Sequence, residues 1–323
     1  MVTDKSNMIQ VLEDFPKQCR EALDLAKGEK ITEKIKNIVV IGMGGSAIGG
    51  DLLKTYLSGS AIPVFVNRDY DLPGFVDENT LVFAVSYSGN TEETLSSYRQ
   101  KNKKKANIVA ITSGGKLAEQ CRTKIMIPTG FQPRNAIAYL FFPMLGVLYN
   151  SGITEVKNND LNEMLAILRE KDKIKDKAEK IAKRLRDKTP VIYSSEVMQP
   201  VAYRWKCQIN ENSKHPAFSH IFPEMNHNEL VGYRLMDRRQ YSAVIIRDSH
   251  DHQRIKKRME ICTKLMEKSI DVNELDTEGK SLLARMFYAI YMGDLISYYL
   301  ALYNRVDPTP VDVIENLKKS LKE

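Results

Sequence analysis

A group of hydroxyl side chains around one glycine is the first feature of this chain that could bind a ligand. Residues 86–94 read SYSGNTEET and follow a short apolar run. Ser86, Ser88 and Thr91 are spaced so that their O–H groups and the nearby amides can encircle a phosphate monoester. The same segment suits a helix start, with Asn90 as its cap and Glu93 completing a capping box. We therefore predict a phosphate site at a capped helix start.

A glycine-rich loop offers a second anion site. Residues 42–50 read GMGGSAIGG, after a predicted strand and before a predicted helix. Glycines let the backbone approach a ligand closely, and helix N-terminal amides attract anions. Gly42, Gly44 and Ala47 also fit a loose dinucleotide pattern with Asp69 after the next strand, so a nicotinamide-dependent dehydrogenase is an alternative. Dinucleotide domains do not need the hydroxyl-rich loop, and the two loops together favour a phosphate monoester.

Both loops require a parallel sheet behind them. The first half of the chain alternates short apolar runs with helical patterns, which is typical of strands joined by crossover helices. An amphipathic helix over 8–26 precedes the strands and an apolar helix over 135–149 follows them. The β-branched character of the strands predicts burial on both faces. The predicted strands are 37–41, 62–66, 81–85, 107–111 and 124–127.

The second half repeats this plan less regularly. It contains predicted strands at 191–194, 243–247 and 270–275, a long buried helix at 281–303 and a short helix at 311–321. The polar stretch 150–160 marks a boundary, which gives two α/β domains over residues 1–152 and 153–323. A chain of 323 residues is long enough for each domain to bury its own core. The repeated plan suggests duplication, although no identity between the halves is visible.

Composition narrows the class of protein. Hydrophobic residues make up 43% and charged residues 28%, which favours a globular protein over a disordered or membrane protein. The net charge of +7 is concentrated in residues 101–105 and 171–188. The second of these runs mixes both signs at helical spacing, which indicates a solvated helix face rather than a nucleic-acid surface. The remaining positive charge favours an anionic small substrate.

The cysteines and the N-terminus indicate a cytoplasmic protein. The four cysteines are far apart and form no C-x-x-C pair, which argues against both a zinc site and a disulfide framework. No apolar run is long enough for a membrane-spanning helix, and the first residues lack a signal-peptide pattern. We expect no metal, no organic cofactor, no membrane and no nucleic-acid partner. The cysteines are Cys19, Cys121, Cys207 and Cys262.

The ordered motifs resemble those of the sugar isomerase (SIS) family. The serine loop looks like the SIS signature, and the whole chain resembles the bifunctional phosphoglucose/phosphomannose isomerases. The motifs are GMGGSAIGGDLL, SYSGNTEETL, PRNAIAYLF, NENSKHPAF, NHNEL and TPVDVIENLK. The resemblance implies two tandem SIS domains, each a three-layer α/β/α sandwich on a parallel sheet, with an active site built between them. It further implies a homodimer with shared active sites and phosphate contacts from Gly45, Ser46, Ser86, Ser88 and Thr91.

The implied reaction interconverts glucose-6-phosphate and fructose-6-phosphate, with mannose-6-phosphate as a second aldose. Such an isomerase moves a proton between adjacent carbons, so it needs a base, a cation near the developing charge and a ring-opening group. The resemblance assigns these roles to Glu211, Arg134 and His227. Glu211 ends a predicted helix, and Arg134 begins another after TGFQP, where a guanidinium can be held rigidly. His227 lies among polar residues, where an imidazole could move a proton, and in similar isomerases it reaches the other subunit's site.

Several assignments stay open. His215 and His220 are rivals of His227, although His215 is expected to order its loop, and His250 and His252 are expected to be solvated. Related enzymes place a lysine near the C-terminus that assists ring opening, and Lys318 is the candidate, with Lys319 as the alternative. Thr309 is the candidate that makes room for the mannose epimer.

An alternative function is an SIS module that binds a sugar phosphate without turnover. Such a module needs the serine loop but not Glu211, Arg134 and His227 together, so their joint presence favours the enzyme. An amidotransferring SIS enzyme is not expected, because neither a glutaminase domain nor an N-terminal cysteine nucleophile is present in this sequence.

Overall fold

The computed structural model describes residues 3–100 and 104–321. The chain forms two compact units, each built on one parallel sheet. The N-terminal unit comprises residues 14–166 with 281–283, and the C-terminal unit comprises the remaining described residues. The domain boundary between residues 152 and 153 stays a prediction. Residues 101–103 of the first basic run lie outside the described residues.

The chain begins with two short helices, α1 (Met8–Glu13) and α2 (Phe15–Asp24). The prediction of one continuous helix over 8–26 is therefore wrong. Pro16 lies in the first turn of α2. Proline has no N–H to donate to the carbonyl of Leu12 four residues earlier, and its ring clashes with that carbonyl, so the helix is interrupted at Asp14 and restarts with Pro16 in its first turn.

The N-terminal unit contains a five-stranded parallel sheet with the order β2-β1-β3-β4-β5. All five predicted strands are confirmed, with ends shifted by one or a few residues. Every residue of the central strand β3 is buried, as expected for a strand covered on both faces. The strands are β1 (Asn37–Ile41), β2 (Val64–Asn67), β3 (Thr80–Val85), β4 (Asn107–Thr112) and β5 (Lys124–Met126).

Helices follow these strands as crossover connections. The predicted apolar helix over 135–149 is confirmed as α6 (Ile137–Asn150), which is preceded by a 3-10 turn over Pro133–Asn135. The helices of this part of the chain are α3 (Gly44–Tyr56), α4 (Glu92–Arg99), α5 (Gly115–Gln120), α6 (Ile137–Asn150) and α7 (Asn158–Leu168).

The C-terminal unit contains a four-stranded parallel sheet with the order β7-β6-β8-β9. This order repeats the first four positions of the other sheet, which supports duplication. The strands are β6 (Thr189–Ser195), β7 (Phe218–Phe222), β8 (Tyr241–Arg247) and β9 (Asp271–Asp276), and the helices are α8 (Lys171–Leu185), α9 (Gln199–Asn212), α10 (Glu229–Gly232), α11 (Gln253–Met266), α12 (Leu282–Tyr303) and α13 (Asp312–Ser320).

Sequence analysis missed strand β7. This strand lies at the edge of its sheet, and its first four residues, which include Ser219 and His220, are only partly buried or exposed. An edge strand tolerates polar side chains, so its sequence looks like that of a loop. The other three predicted strands of this half and the helices at 281–303 and 311–321 are confirmed.

Two expectations from composition also have structural counterparts. The charged run 171–188 contains helix α8, which buries an apolar face formed by Ile174, Ala178, Ile181, Ala182 and Leu185. The four cysteines are free thiols. Within residues 3–100 and 104–321, no helix has the length and apolar character needed to cross a bilayer.

Candidate active site

The two predicted phosphate loops leave adjacent strands at one edge of the N-terminal sheet. β1 pairs with β2 on one side and β3 on the other, so successive crossovers leave β1 in opposite directions. The carboxyl ends of two such strands form a topological switch point, where open α/β sheets bind ligands. Gly42 follows β1 directly and Ser86 follows β3 directly.

The glycine loop lies directly against the end of β3. A Cβ atom at Gly42 would lie only 2.9 Å from the carbonyl oxygen of Val85, so this approach requires glycine. Gly44 and Gly45 begin α3. Their amides are among the first N–H groups of a helix, which can bind an anion. Ser46 lies in the same turn and is buried.

The serine loop is a tight turn closed by its own hydroxyls. Ser86 is buried, and its Oγ lies 2.9 Å from Oγ1 of Thr91, whereas Ser88 is exposed. Gly89 has φ +66°, and a Cβ there would overlap the carbonyl oxygen of Gly114. Glycine is therefore required at this turn, which leaves the hydroxyls grouped around it.

The predicted capping box is wrong. The N-cap residue of α4 is Thr91, and its side chain makes no capping hydrogen bond. The Asn90 side chain instead donates to the Ser88 carbonyl at 3.1 Å and accepts the Lys116 N–H at 3.1 Å. The contact with the neighbouring loop takes the asparagine away from the helix, so capping by a side chain does not compete with a ligand there.

Arg134 is held next to the glycine loop. It lies in the 3-10 turn before α6 rather than in the helix itself, its exposed fraction is 4%, and its Nη1 donates to Gln132 Oε1 at 3.3 Å. A Cβ at Gly45 would lie 3.2 Å from the Pro133 carbonyl oxygen and 3.5 Å from Arg134 Cα. The turn that carries Arg134 thus packs on the first turn of α3, next to the loop for which the sequence predicts anion binding.

Tyr87 is a residue of this region that sequence analysis missed. Its hydroxyl donates to the Pro128 carbonyl at 3.1 Å and accepts the Phe131 N–H at 2.8 Å. Burial raises the pKa of its phenol, so the hydroxyl keeps its proton. The sequence does carry a signal for this role, because Tyr87 stands between Ser86 and Ser88. Neighbouring side chains in an extended segment point to opposite sides, so an aromatic residue at this position faces away from the two serines.

Glu211 occupies the last turn of α9 in the C-terminal unit, as predicted. It is half-buried and lines a cavity of about 720 Å³ together with Lys206, Asn210, Lys214, residues 215–218 and residues 311–314. Lys214 donates from Nζ to the carbonyl oxygens of Glu211 at 2.7 Å and Pro308 at 3.0 Å. A lysine at this position suits the negative end of the helix dipole and joins the end of α9 to the chain before Thr309.

A ladder of buried polar groups fixes α9 against α12. Asp294 accepts from Arg204 Nη2 at 2.7 Å and from Gln208 Nε2 at 2.8 Å. One turn further along α9, Asn212 Nδ2 donates to Ser297 Oγ at 2.9 Å. These contacts hold the helix that carries Glu211.

His227 lies at the end of a 3-10 turn over Glu224–His227, and its side chain is exposed. It is not among the residues that line the cavity beside Glu211. The rival His220 is engaged elsewhere, because its Nδ1 lies 2.7 Å from Glu229 Oε1. Glu229 Oε2 also accepts the Tyr193 hydroxyl at 2.7 Å, which fixes the segment after His227 to strand β6.

The other histidines take minor positions. His215 contacts the carbonyl oxygen of its neighbour Pro216 at 3.0 Å and lines the cavity. His250 and His252 are exposed, as expected, and His252 Nδ1 accepts the Arg254 N–H at the start of α11.

The C-terminal candidates lie on or near α13. Lys318 and Lys319 are both exposed in its last turn and do not line the cavity beside Glu211. Thr309 is half-buried, and its N–H donates to Asp307 Oδ1 at 3.0 Å. The choice between the two lysines stays open.

The loop after β8 corresponds by strand order to the serine loop after β3. It carries two buried carboxylates, Asp248 and Asp251, beside the exposed Ser249. Asp248 accepts the His250 N–H at 2.8 Å and lies 2.8 Å from Arg285 Nε, and Asp251 accepts the Asp248 N–H at 3.1 Å. Two backbone N–H groups of this loop, those of Asp248 and His250, therefore donate to its own carboxylates.

Across residues 3–100 and 104–321, no group of three or more His, Cys, Asp and Glu residues is arranged to hold a metal ion. The described geometry consists of a hydroxyl loop and a glycine loop beside a buried arginine in one unit, and a carboxylate at a cavity in the other.

The two parallel-sheet units, with the glycine loop and the serine loop at one edge of the first sheet, are typical of SIS-domain proteins, and the comparisons with known proteins agree. The SIS domain family matches residues 31–149, and the family described as bacterial phospho-glucose isomerase C-terminal SIS domain matches residues 174–321. The C-terminal domain of glucosamine-fructose-6-phosphate aminotransferase from Francisella tularensis has a similar fold, with a TM-score of 0.74, 18% identity and coverage of 94% of this chain and 98% of that one.

Two relatives identify the particular family. A bifunctional phosphoglucose/phosphomannose isomerase of Caldicellulosiruptor bescii is 43% identical, over 98% of this chain and 99% of its own length. Another from Thermoplasma acidophilum is 43% identical over 90% of this chain and 91% of its own length. The chain belongs to the family of bifunctional phosphoglucose/phosphomannose isomerases.

Proposed function

We propose that this chain interconverts glucose-6-phosphate and fructose-6-phosphate, and mannose-6-phosphate and fructose-6-phosphate, through an enediolate and without a cofactor. The observation that carries the proposal is the buried Arg134, whose turn packs on the first turn of α3 beside the serine loop. A fixed cation next to an anion site suits a substrate that carries a phosphate and develops negative charge as it reacts.

The phosphate is assigned to Gly45, Ser46, Ser86, Ser88 and Thr91, and the chemistry to the other predicted residues. Glu211 removes the proton from C2 of the aldose and returns it to C1, while the hydroxyl proton on O2 passes to O1, which gives the ketose. Arg134 stabilises the oxyanion of the enediolate between these steps. A fixed charge of this kind contributes about 3 kcal/mol to a transition state. His227 moves the proton of the ring oxygen, and Lys318 assists ring opening.

We also propose a homodimer in which one protomer supplies His227 to its partner. The exposed imidazole is followed by two strongly exposed apolar side chains, Val231 (81%) and Leu235 (91%). Apolar groups in such positions are typical of a surface that another chain covers. Mixing inactive Glu211→Gln and His227→Ala chains should then restore activity in hybrid dimers. If verified subunit exchange gives no recovery, the two residues act within one protomer.

We propose that the enzyme acts in glycolysis and gluconeogenesis and that its compartment is the cytoplasm. Four free cysteines, three of them buried, are compatible with a reducing environment.

The decisive experiment replaces Glu211 by glutamine. Glutamine keeps the size and hydrogen-bonding reach of the side chain but removes its basicity. Isomerisation and C2 proton exchange with solvent should both fall by about 10²–10⁴, the usual contribution of a positioned base. Sugar-phosphate binding and the unfolding temperature should persist, and anomer interconversion should continue because His227 remains.

Glu267→Gln is the matched control, since Glu267 is an exposed glutamate just beyond the end of helix α11. It should keep wild-type turnover. Near wild-type turnover by Glu211→Gln would remove Glu211 from the mechanism and direct the search to Glu224 or Glu229. A wild-type chain that binds fructose-6-phosphate but forms neither aldose in a coupled assay would instead be a binding module.

A further inference from the structure

The Tyr87 side chain joins the serine loop to the segment that leads to Arg134. Its backbone lies between Ser86 and Ser88, and its hydroxyl bridges the Pro128 carbonyl and the Phe131 N–H. The ring itself is buried, with an exposed fraction of 8%. One side chain therefore connects the predicted phosphate hydroxyls with the turn that carries the buried guanidinium.

The far end of this segment is also fixed. Gln132 Oε1 accepts from Arg134 Nη1, and the Pro133 carbonyl packs on Gly45. Gly130, between the two partners of the Tyr87 hydroxyl, has φ +91°, a conformation that glycine adopts readily and other residues rarely adopt. The tyrosine hydroxyl supplies both a donor and an acceptor across this turn, which phenylalanine cannot.

The backbone of Tyr87 is anchored separately from its side chain. Its carbonyl oxygen accepts the Ser113 N–H at 3.0 Å and the Ser113 hydroxyl at 2.6 Å. Removal of the phenolic hydroxyl should therefore leave Ser86 and Ser88 in place while it releases the 128–131 turn. This separation makes an effect on arginine distinguishable from an effect on phosphate binding.

We propose that Tyr87 is a positioning residue for the isomerase reaction: its hydroxyl holds the 128–134 segment so that Arg134 keeps its place relative to the bound phosphate. The inference rests on the proposed role of Arg134 in the reaction. Tyr87 itself acts through the arginine and need not contact the reacting carbons. Displacement of a catalytic group by about 1 Å can lower a rate by about 10²-fold, so a loosened turn has a measurable effect.

The test is Tyr87→Phe, with Tyr98→Phe as its matched control. Tyr98 is a buried tyrosine of the same unit whose hydroxyl donates to the Gln120 carbonyl at 2.7 Å. Both variants lose one buried hydroxyl bonded to backbone. Tyr87→Phe should lower kcat by about 10-fold or more, with KM and competitive inhibition by inorganic phosphate changed less than about twofold. Tyr98→Phe should keep kcat, with a similar shift in the unfolding temperature.

A double-mutant cycle with Arg134→Lys shows whether the effect passes through the arginine. The Tyr87→Phe effect on kcat should largely disappear in the Arg134→Lys background, because residues that act through one another are not additive. Equal kcat for Tyr87→Phe and Tyr98→Phe, or a fully additive double mutant, would overturn the inference while Arg134→Lys still shows impaired turnover. Full activity of the single variant Arg134→Lys would overturn the proposed role of Arg134 together with the inference about Tyr87. This single variant therefore tests the role of the arginine separately.

Discussion

The buried ion pair between α9 and α12 predicts a large loss of stability when its charge is removed. Arg204 and Asp294 have side-chain exposures of 1% and 4%, and their Nη2 to Oδ2 distance is 2.7 Å. Asp294→Asn keeps the volume and one acceptor but leaves the buried guanidinium beside a neutral amide. Gln208, which donates to the other carboxylate oxygen, loses a charged acceptor as well.

Removal of one partner of such a pair costs about 3–5 kcal/mol, because the remaining charge stays out of water without its counterion. For a unit of this size each 1 kcal/mol corresponds to about 2–4 °C, so the unfolding temperature should fall by roughly 6–20 °C. The double variant Arg204→Met, Asp294→Leu should lose less than the sum of the two single variants, since apolar groups can replace a buried pair at little cost.

Differential scanning calorimetry measures these shifts, and Asp237→Asn is the control. Asp237 pairs with Arg239 at the surface, where the arginine side chain is 86% exposed, so the control should change the unfolding temperature much less than Asp294→Asn does. If Asp294→Asn lowers the unfolding temperature by less than about 2 °C, this pair is not a main anchor of α9. A double variant that loses more than the sum would show that packing, rather than charge, dominates the contact.

Three further predictions concern the loops. The double variant Ser86→Ala, Ser88→Ala should raise KM by roughly 10- to 150-fold per hydroxyl, because a hydrogen bond to a charged group is worth about 1.5–3 kcal/mol. The change in kcat should be much smaller. An unchanged KM in steady-state kinetics would rule out the hydroxyl site. Gly45→Ala introduces a Cβ at 3.2 Å from the Pro133 carbonyl oxygen and should lower kcat by displacing the turn that carries Arg134. Gly59→Ala is the control and should be neutral, because no atom lies within 4 Å of the added Cβ. Equal kcat for the two variants would contradict the packing argument. Burial raises the pKa of Asp251 above its ordinary value of 3.8, so the folded state binds this proton more tightly than the unfolded chain does. The resulting stabilisation is complete below pH 3.8 and is lost as the pH rises through the raised pKa of the folded state. Asp251→Asn should therefore raise the unfolding temperature at pH 7 but not at pH 3, and a gain that grows on acidification would reverse the sign.

The sequence predicted most strands because they are buried on both faces and therefore strongly apolar. β3 is the clearest case, with all six residues buried. β7 escaped prediction because its edge position permits polar residues such as Ser219 and His220. The helix over 8–26 was overextended because its hydrophobic period continues past the break that Pro16 imposes.

The sequence predicts the two phosphate loops better than it predicts the residues that hold the rest of the site in place. The phosphate loops have local signatures, since glycine turns and hydroxyls lie within a few residues of one another. Tyr87, Lys214 and Asp294 could not be assigned from spacing, because their partners Phe131, Pro308 and Arg204 are 44, 94 and 90 residues away in the chain. Contacts of this kind depend on the tertiary fold.

The carboxylates after β8 have a consequence for the history of the two units. If both descend from one ancestor, the C-terminal copy has acquired its own internal anions, Asp248 and Asp251, on amides that a free anion would otherwise use. We then expect that duplication of the architecture left only the predicted phosphate position of the N-terminal unit. A copy released from phosphate binding can change its loops without losing substrate, and this is the unit that carries Glu211 and His227. The saturating stoichiometry of a sugar phosphate should accordingly be one per chain.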